Sequence, residues 1–211
     1  MRIMPHRRKQ FSVRKRNYWQ RSIDITEVRQ RFLIVCEGSK TEPNYFKKFR
    51  VPHVVIDVEG VGRNTLGIID EAEHYNNEGD YDQVWCVFDK DDYRIDQFEN
   101  AIERAKSLGF HVAYSNQAFE LWYLLHFEFL NSAINRQQYI TKLETYIGQQ
   151  YKKNDPAMYD KLRCNLDNAI KNSEKLLDTY RPPHPGRDDP STTVHKLVKA
   201  LLEQARPLDR R

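Results

Sequence analysis

Four strand-length apolar runs, RFLIVC (31–36), HVVIDVE (53–59), QVWCVF (83–88) and FHVAY (110–114), alternate with stretches of helical character. Strands separated by helices need crossover connections, so the alternation predicts a parallel sheet. The runs are largely apolar at successive positions, the pattern of strands covered on both faces. Helices are expected over 41–49, from Asn64 or Thr65 to 76, and over 96–108 with Gly109 as C-terminal cap. Beyond residue 127 the pattern changes. Segments 136–147, 165–180 and 192–204 read as helices, and no strand is expected there. PPHPGRDDP (182–190) is too rich in proline for regular structure, and Ser191 or Thr192 can cap the helix after it. The predicted organisation is a basic arm over 1–25, an open α/β sheet flanked by helices over 26–127, and a helical annex packed on it over 128–211.

A hydrophobic share of 39% can fill a core, and no apolar run approaches the roughly 20 residues of a membrane span. The net charge of +4 conceals an asymmetry. Arg2, Arg7, Arg8, Lys9, Arg14, Lys15, Arg16 and Arg21 lie in the first 21 residues without a single acid, which leaves the remainder acidic on balance. Such an arm suits phosphate neutralisation, with Phe11, Tyr18 and Trp19 available to stack on bases; it equally suits a disordered, solubilising tail. Cys36, Cys86 and Cys164 show no C-x-x-C spacing, and the first two sit inside apolar runs. They read as buried thiols of a cytoplasmic protein. The histidines show no i,i+3 or i,i+4 pair, so any catalytic metal would be held by carboxylates.

In an open parallel sheet the carboxyl ends of the strands converge on one ligand-binding edge. Here the first strand delivers Glu37, the third delivers Asp89, Asp91 and Asp92, and the fourth delivers Ser115 and Asn116 just before Glu120. Carboxylates without histidine or thiolate partners are the donor set of a hard cation, Mg²⁺ or Mn²⁺. Asp89 and Asp91 are two apart and can reach one ion from an extended chain, although a D-K-D-D run is also a polar turn. Glu37 favours the ion, because it is no turn former and would repel Asp89 unless a cation neutralised both.

FLIVCEGSKTEPNYF (32–46) resembles the opening motif of the RloB family, and VWCVFDKDD (84–92) resembles its second. SNQAFELW (115–122), followed by LLHF (124–127), is similar to the third block and PSTTVH (190–195) to the fourth. RloB-like proteins are similar to the TOPRIM fold, the metal-binding α/β domain of topoisomerases, primases and OLD-type nucleases, and are associated with bacterial restriction and phage-defence loci. The resemblance implies a TOPRIM-like sheet in which Glu37 acts as general acid/base and Asp89 and Asp91 hold Mg²⁺ or Mn²⁺. Topoisomerase and primase need further domains, so a metal-dependent nuclease acting on DNA or RNA is the expected enzyme. The same resemblance implies an associated ATPase of the defence locus, and the sequence is compatible with a homo-oligomer.

Other residues carry two readings each. Glu120, among apolar neighbours, needs a partner: a metal, an activated water, Lys40 or Asn116, or a purely structural ion pair. Lys40 can meet a scissile phosphate or balance the acids. Ser39-Lys40-Thr41-Glu42 reads as an S-x-x-E capping box, which gives Glu42 a structural role. Ser115, Asn116, Lys153 and Arg187 are the candidate substrate contacts, set against a solvated surface for Lys153. His126 and His195 read as core histidines or as catalysts. The competing class for the whole chain is a module that grips nucleic acid, a nucleotide signal or a partner protein without hydrolysis.

Overall fold

The apolar runs become strands because each can be covered on both faces. In a computed structural model, which describes residues 30–52, 54–62, 65–90 and 95–204, β1 (Gln30–Cys36), β2 (Val54–Gly60), β3 (Gln83–Asp89) and β4 (His111–Asn116) pair in parallel. The sheet order is β2-β1-β3-β4-β5, in which β5 (Ser191–Thr192) is antiparallel to β4. The fold is therefore mixed α/β, with a mostly parallel sheet flanked by helices. The basic arm with Phe11, Tyr18 and Trp19, the helix cap Asn64, and Asp91 and Asp92 lie outside the described residues.

Neighbouring strand residues point to opposite faces, and the core divides accordingly. On one face Leu33, Val35, Cys86 and Phe88 pack against α2 (Thr65–Glu78) and α3 (Ile95–Ser107) through Ile68, Ile69, Phe98 and Ala101. On the other, Phe32, Ile34, Cys36 and Val87 meet α1 (Thr41–Phe46), α4 (Glu120–Leu124) and α5 (Arg136–Ile147). This second cluster continues through α6 (Met158–Leu162), α7 (Leu166–Leu177) and α8 (Val194–Glu203), so the annex shares one core with the sheet. Tyr45 knits it, with its ring edge-on to Phe46, Phe119 and Trp122 at centroid distances of 5.3, 5.8 and 6.5 Å.

Four expectations need correction. A strand does occur beyond residue 127: Tyr114 N–H donates to Thr193 Oγ1 (2.9 Å), and Thr193 N–H donates back to the Tyr114 carbonyl (2.9 Å). The exposed edge of β4 attracts this short partner, and α8 starts at Val194 rather than 192 with no side-chain cap. The first helix ends at Phe46 instead of 49. Its N-cap is Lys40 and no side chain caps it, so the S-x-x-E pattern does not form a capping box. Gly109 ends α3's connection with φ +75°, as its cap position requires. Among the described residues no helix is long and apolar enough to cross a membrane.

Both cysteines of the apolar runs are buried, as are His126 and His195. His126 Nδ1 lies 2.9 Å from the Trp122 carbonyl, and burial lowers both imidazoles from 6.5 to about 4. The unfolded chain protonates these rings below about pH 6.5 and the folded chain only near pH 4, so their stabilisation is present above pH 6.5 and lost as pH falls toward 4. Denaturant unfolding should show stability falling by about 2 kcal/mol per ring between pH 7 and pH 5. His126→Asn should flatten that decline.

Candidate functional site

The β1–β3 ladder does not stop at the strand ends. Glu37 N–H donates to the Val87 carbonyl at 2.8 Å, and the Glu37 carboxylate then accepts the Asp89 N–H at 3.1 Å. On the other side, Val61 and Gly62 N–H groups donate to the Cys36 and Glu37 carbonyls at 3.0 and 2.9 Å. Glu37 is thereby held between the ends of β2 and β3, with its side chain directed at the backbone of Asp89. Gly60 allows this closeness, because a Cβ there would lie 2.8 Å from the Gly38 carbonyl oxygen and 2.9 Å from Ser39 Cα.

Asp89, with a side chain 15% exposed, lies 3.9 Å from Arg136 Nη2. Arg136 opens α5, whose start is fixed by a capping box: Asn135 Oδ1 accepts Gln138 N–H and Gln138 Oε1 accepts Asn135 N–H, both at 2.9 Å. The annex therefore places a guanidinium beside the sheet's acidic edge. Lys90 follows Asp89 and donates its N–H to the Ser115 carbonyl at 2.9 Å. It also faces Asp189, whose carboxyl burial raises and Lys90 opposes.

Glu120 is 3% exposed and accepts a 2.9 Å hydrogen bond from the Tyr151 hydroxyl. Tyr151 is fixed at its other end by donation of its N–H to Glu144 at 3.0 Å. Burial pushes the phenol well up, and the charges of Glu120, Glu42 and Asp89 push it further. Glu42 is 6% exposed and folds its carboxylate against Gly38. After burial itself, its charge is the largest influence raising the Cys36 thiol. Four acids, Glu37, Glu42, Asp89 and Glu120, thus gather about the carboxyl ends of β1 and β3.

The loop that carries Tyr151 docks on α1: Thr41 Oγ1 donates to the Lys153 carbonyl (2.7 Å) and Asn44 Nδ2 to the Asn154 carbonyl (3.3 Å). That junction brings the exposed residues Lys40 and Lys153 together at the border of the acidic edge. Ser115 and Asn116 do not line an open surface. Ser115 Oγ lies 3.1 Å from Thr192 Oγ1, Asn116 Nδ2 donates to the Asp188 carbonyl at 2.8 Å, and both residues are buried. They clasp the 188–192 segment, which corrects their expected role as substrate contacts. Arg187 is exposed, one residue before that clasp.

Arg136, Tyr151 and Asp189 escape sequence reasoning, since nothing local marks them, and Glu42 is misread as a cap. Carboxylate oxygens are the donors a hard cation takes, and adjacent strands deliver two of them, from Glu37 and Asp89. Asp91 falls outside the described residues, among which no group of three or more His, Cys, Asp or Glu side chains is arranged to hold a metal.

The fold is that of a mixed α/β protein whose mostly parallel sheet gathers acidic residues at the carboxyl ends of its strands. The model of the RloB-like protein family matches residues 32–201, and the chain belongs to that family. No curated protein and no solved structure matches the chain.

The Glu120–Tyr151 bond joins α4 to the annex loop. Tyr151→Phe leaves a buried carboxylate oxygen without its donor and should lower unfolding free energy by about 1–3 kcal/mol in urea denaturation. In a Glu120→Gln background the same change should be much smaller, a coupling that a double-mutant cycle reads.

Proposed function

We propose that this RloB-like protein is a TOPRIM-like, Mg²⁺- or Mn²⁺-dependent nuclease that hydrolyses phosphodiester bonds of DNA or RNA in the cytoplasm as part of antiphage defence. The observation that carries the reading is the Asp89 N–H to Glu37 carboxylate bond at 3.1 Å, which holds the Glu37 carboxylate at the residue where β3 ends in a second acid, on the edge where open parallel sheets take ligands. Like charges so placed favour a cation between them. Glu37, Asp89 and Asp91 would hold the ion, which when bound supplies neutralisation of developing phosphate charge and activation of a water.

The chain's own groups complete the arrangement. Glu37 is half-buried and can accept a proton at its carboxylate while Asp89 N–H fixes its orientation. Arg136 beside Asp89 offers a guanidinium fork for a phosphate oxygen. Lys40 and Lys153, exposed where the annex loop meets α1, lie where a nucleic-acid backbone would leave the edge. Tyr151 holds the buried Glu120 carboxylate in place.

The test is cleavage of labelled plasmid, single-stranded DNA and total RNA with Mg²⁺, Mn²⁺ or EDTA. Wild type is expected to cut one of them in a metal-dependent manner, and Asp89→Ala and Glu37→Gln should be slower by at least about 100-fold while circular dichroism shows intact folding. Undiminished turnover in Glu37→Gln would sink the catalytic scheme, and an absence of cutting on every substrate would favour a binding module.

A further inference from the structure

A second concave site lies away from the acids. A cavity of about 550 Å³ opens between the start of β4, the C-terminal end of α3, the proline-rich segment after α7 and the start of α8. Its walls include Trp85, His111 and Tyr180, and Lys106, Arg181 and Lys196 stand around it. The indole of Trp85 and the imidazole of His111 stack with centroids 4.6 Å apart at 25°. In register, Asp89 lies level with Ser115, four residues beyond His111, so this cavity is roughly 13 Å along the strand from the carboxylate edge.

Its chemistry is the reverse of that edge. Asp178 is the one acid in its lining, and it lies 3.7 Å from Arg181 in an exposed pair that water largely screens. Lys106 likewise has an exposed partner, Glu103, at 2.8 Å, while Lys196 makes no ion pair with a described residue. Aromatic walls ask for a flat, polarisable ring, and the surrounding cations ask for an anion. The volume falls in the range of small-ligand sites, and neither an inorganic anion nor an apolar molecule would use both sets of groups.

We propose that this cavity is a binding site for a mononucleotide, its base against the Trp85–His111–Tyr180 surface and its phosphate on Lys196, Lys106 and Arg181. The wall is connected to the first site through the chain. Tyr180 donates its hydroxyl to the Pro190 carbonyl at 2.9 Å, and on either side of Pro190 the Asp188 carbonyl and the Thr192 hydroxyl clasp Asn116 and Ser115 beside Asp89. A nucleotide here would brace the segment that closes the sheet edge.

The probe experiment is titration of the full-length chain in EDTA with adenosine and guanosine 5′-monophosphates, inorganic phosphate, adenosine and a 5′-phosphorylated decanucleotide, followed by calorimetry. A mononucleotide is expected to saturate. Lys196→Glu and the double variant Lys106→Glu/Arg181→Glu, all at exposed positions, should weaken it by at least about tenfold. Lys171→Glu, exposed elsewhere on α7, and Asp89→Ala should bind as wild type does. Loss of binding in Asp89→Ala would place the nucleotide at the carboxylate edge and overturn the proposal. So would affinity for phosphate alone equal to that for the nucleotide, indifference to Lys196→Glu, binding of the decanucleotide only, or no saturable binding up to about 5 mM. Because metal is absent from this titration, its outcome is independent of whether the chain cuts nucleic acid.

Discussion

The parallel pairing of β1 with β3 at the centre of the sheet sets the position of nearly everything that matters at its edge. Cys36 is in register with Val87, so the next residue along β1 can still bond to β3 through its backbone while its side chain turns to meet Asp89. The Glu37 carboxylate and the backbone of Asp89 are brought together by main-chain geometry. The surrounding core, with Phe32, Ile34, Val35 and Cys36 fully buried, holds the strands on which they stand.

The annex acts on this edge as much as it packs beneath it. Arg136 and Tyr151 come from residues far along the chain, yet one lies against Asp89 and the other bonds to Glu120. A buried carboxylate requires such a donor, since removing it from water without one is costly. The shared apolar cluster that runs from Phe32 to Leu201 supplies the rigidity that keeps these long-range contacts aligned. Sheet and annex are therefore one physical unit at the site.

Much of this was legible in the residues. Strand apolarity located all four parallel strands to within two residues, and the open-sheet rule brought Glu37 and Asp89 to one edge. The range expected for α5, 136–147, is the one found, and the structure shows what bounds it: the Asn135 capping box and Gly148 at φ +67°. β5 was not legible, since two residues carry no periodicity and Ser191–Thr192 becomes a strand only because β4 offers an edge. Glu42 illustrates a different failure: S-x-x-E is a local pattern, and the side chain was drawn inward over Gly38 by a close approach that only the folded loop defines. Asn116 and Ser115 sit at a strand end, where polarity suggests ligand contact, but a segment more than 70 residues away consumes their hydrogen-bonding capacity.

The late position of that segment bears on how the protein is made. A chain emerging from the ribosome presents Glu37, Asp89 and Glu120 well before Tyr151, and it presents the Asp188–Thr193 clasp only near the end of the described residues. Until then the outer edge of β4 has no strand to pair with, and Glu120 lacks its phenol donor. The acidic edge consequently reaches its final form only after the Asp188–Thr193 segment has been made, so a shorter nascent chain holds the acids without the framework that orders them.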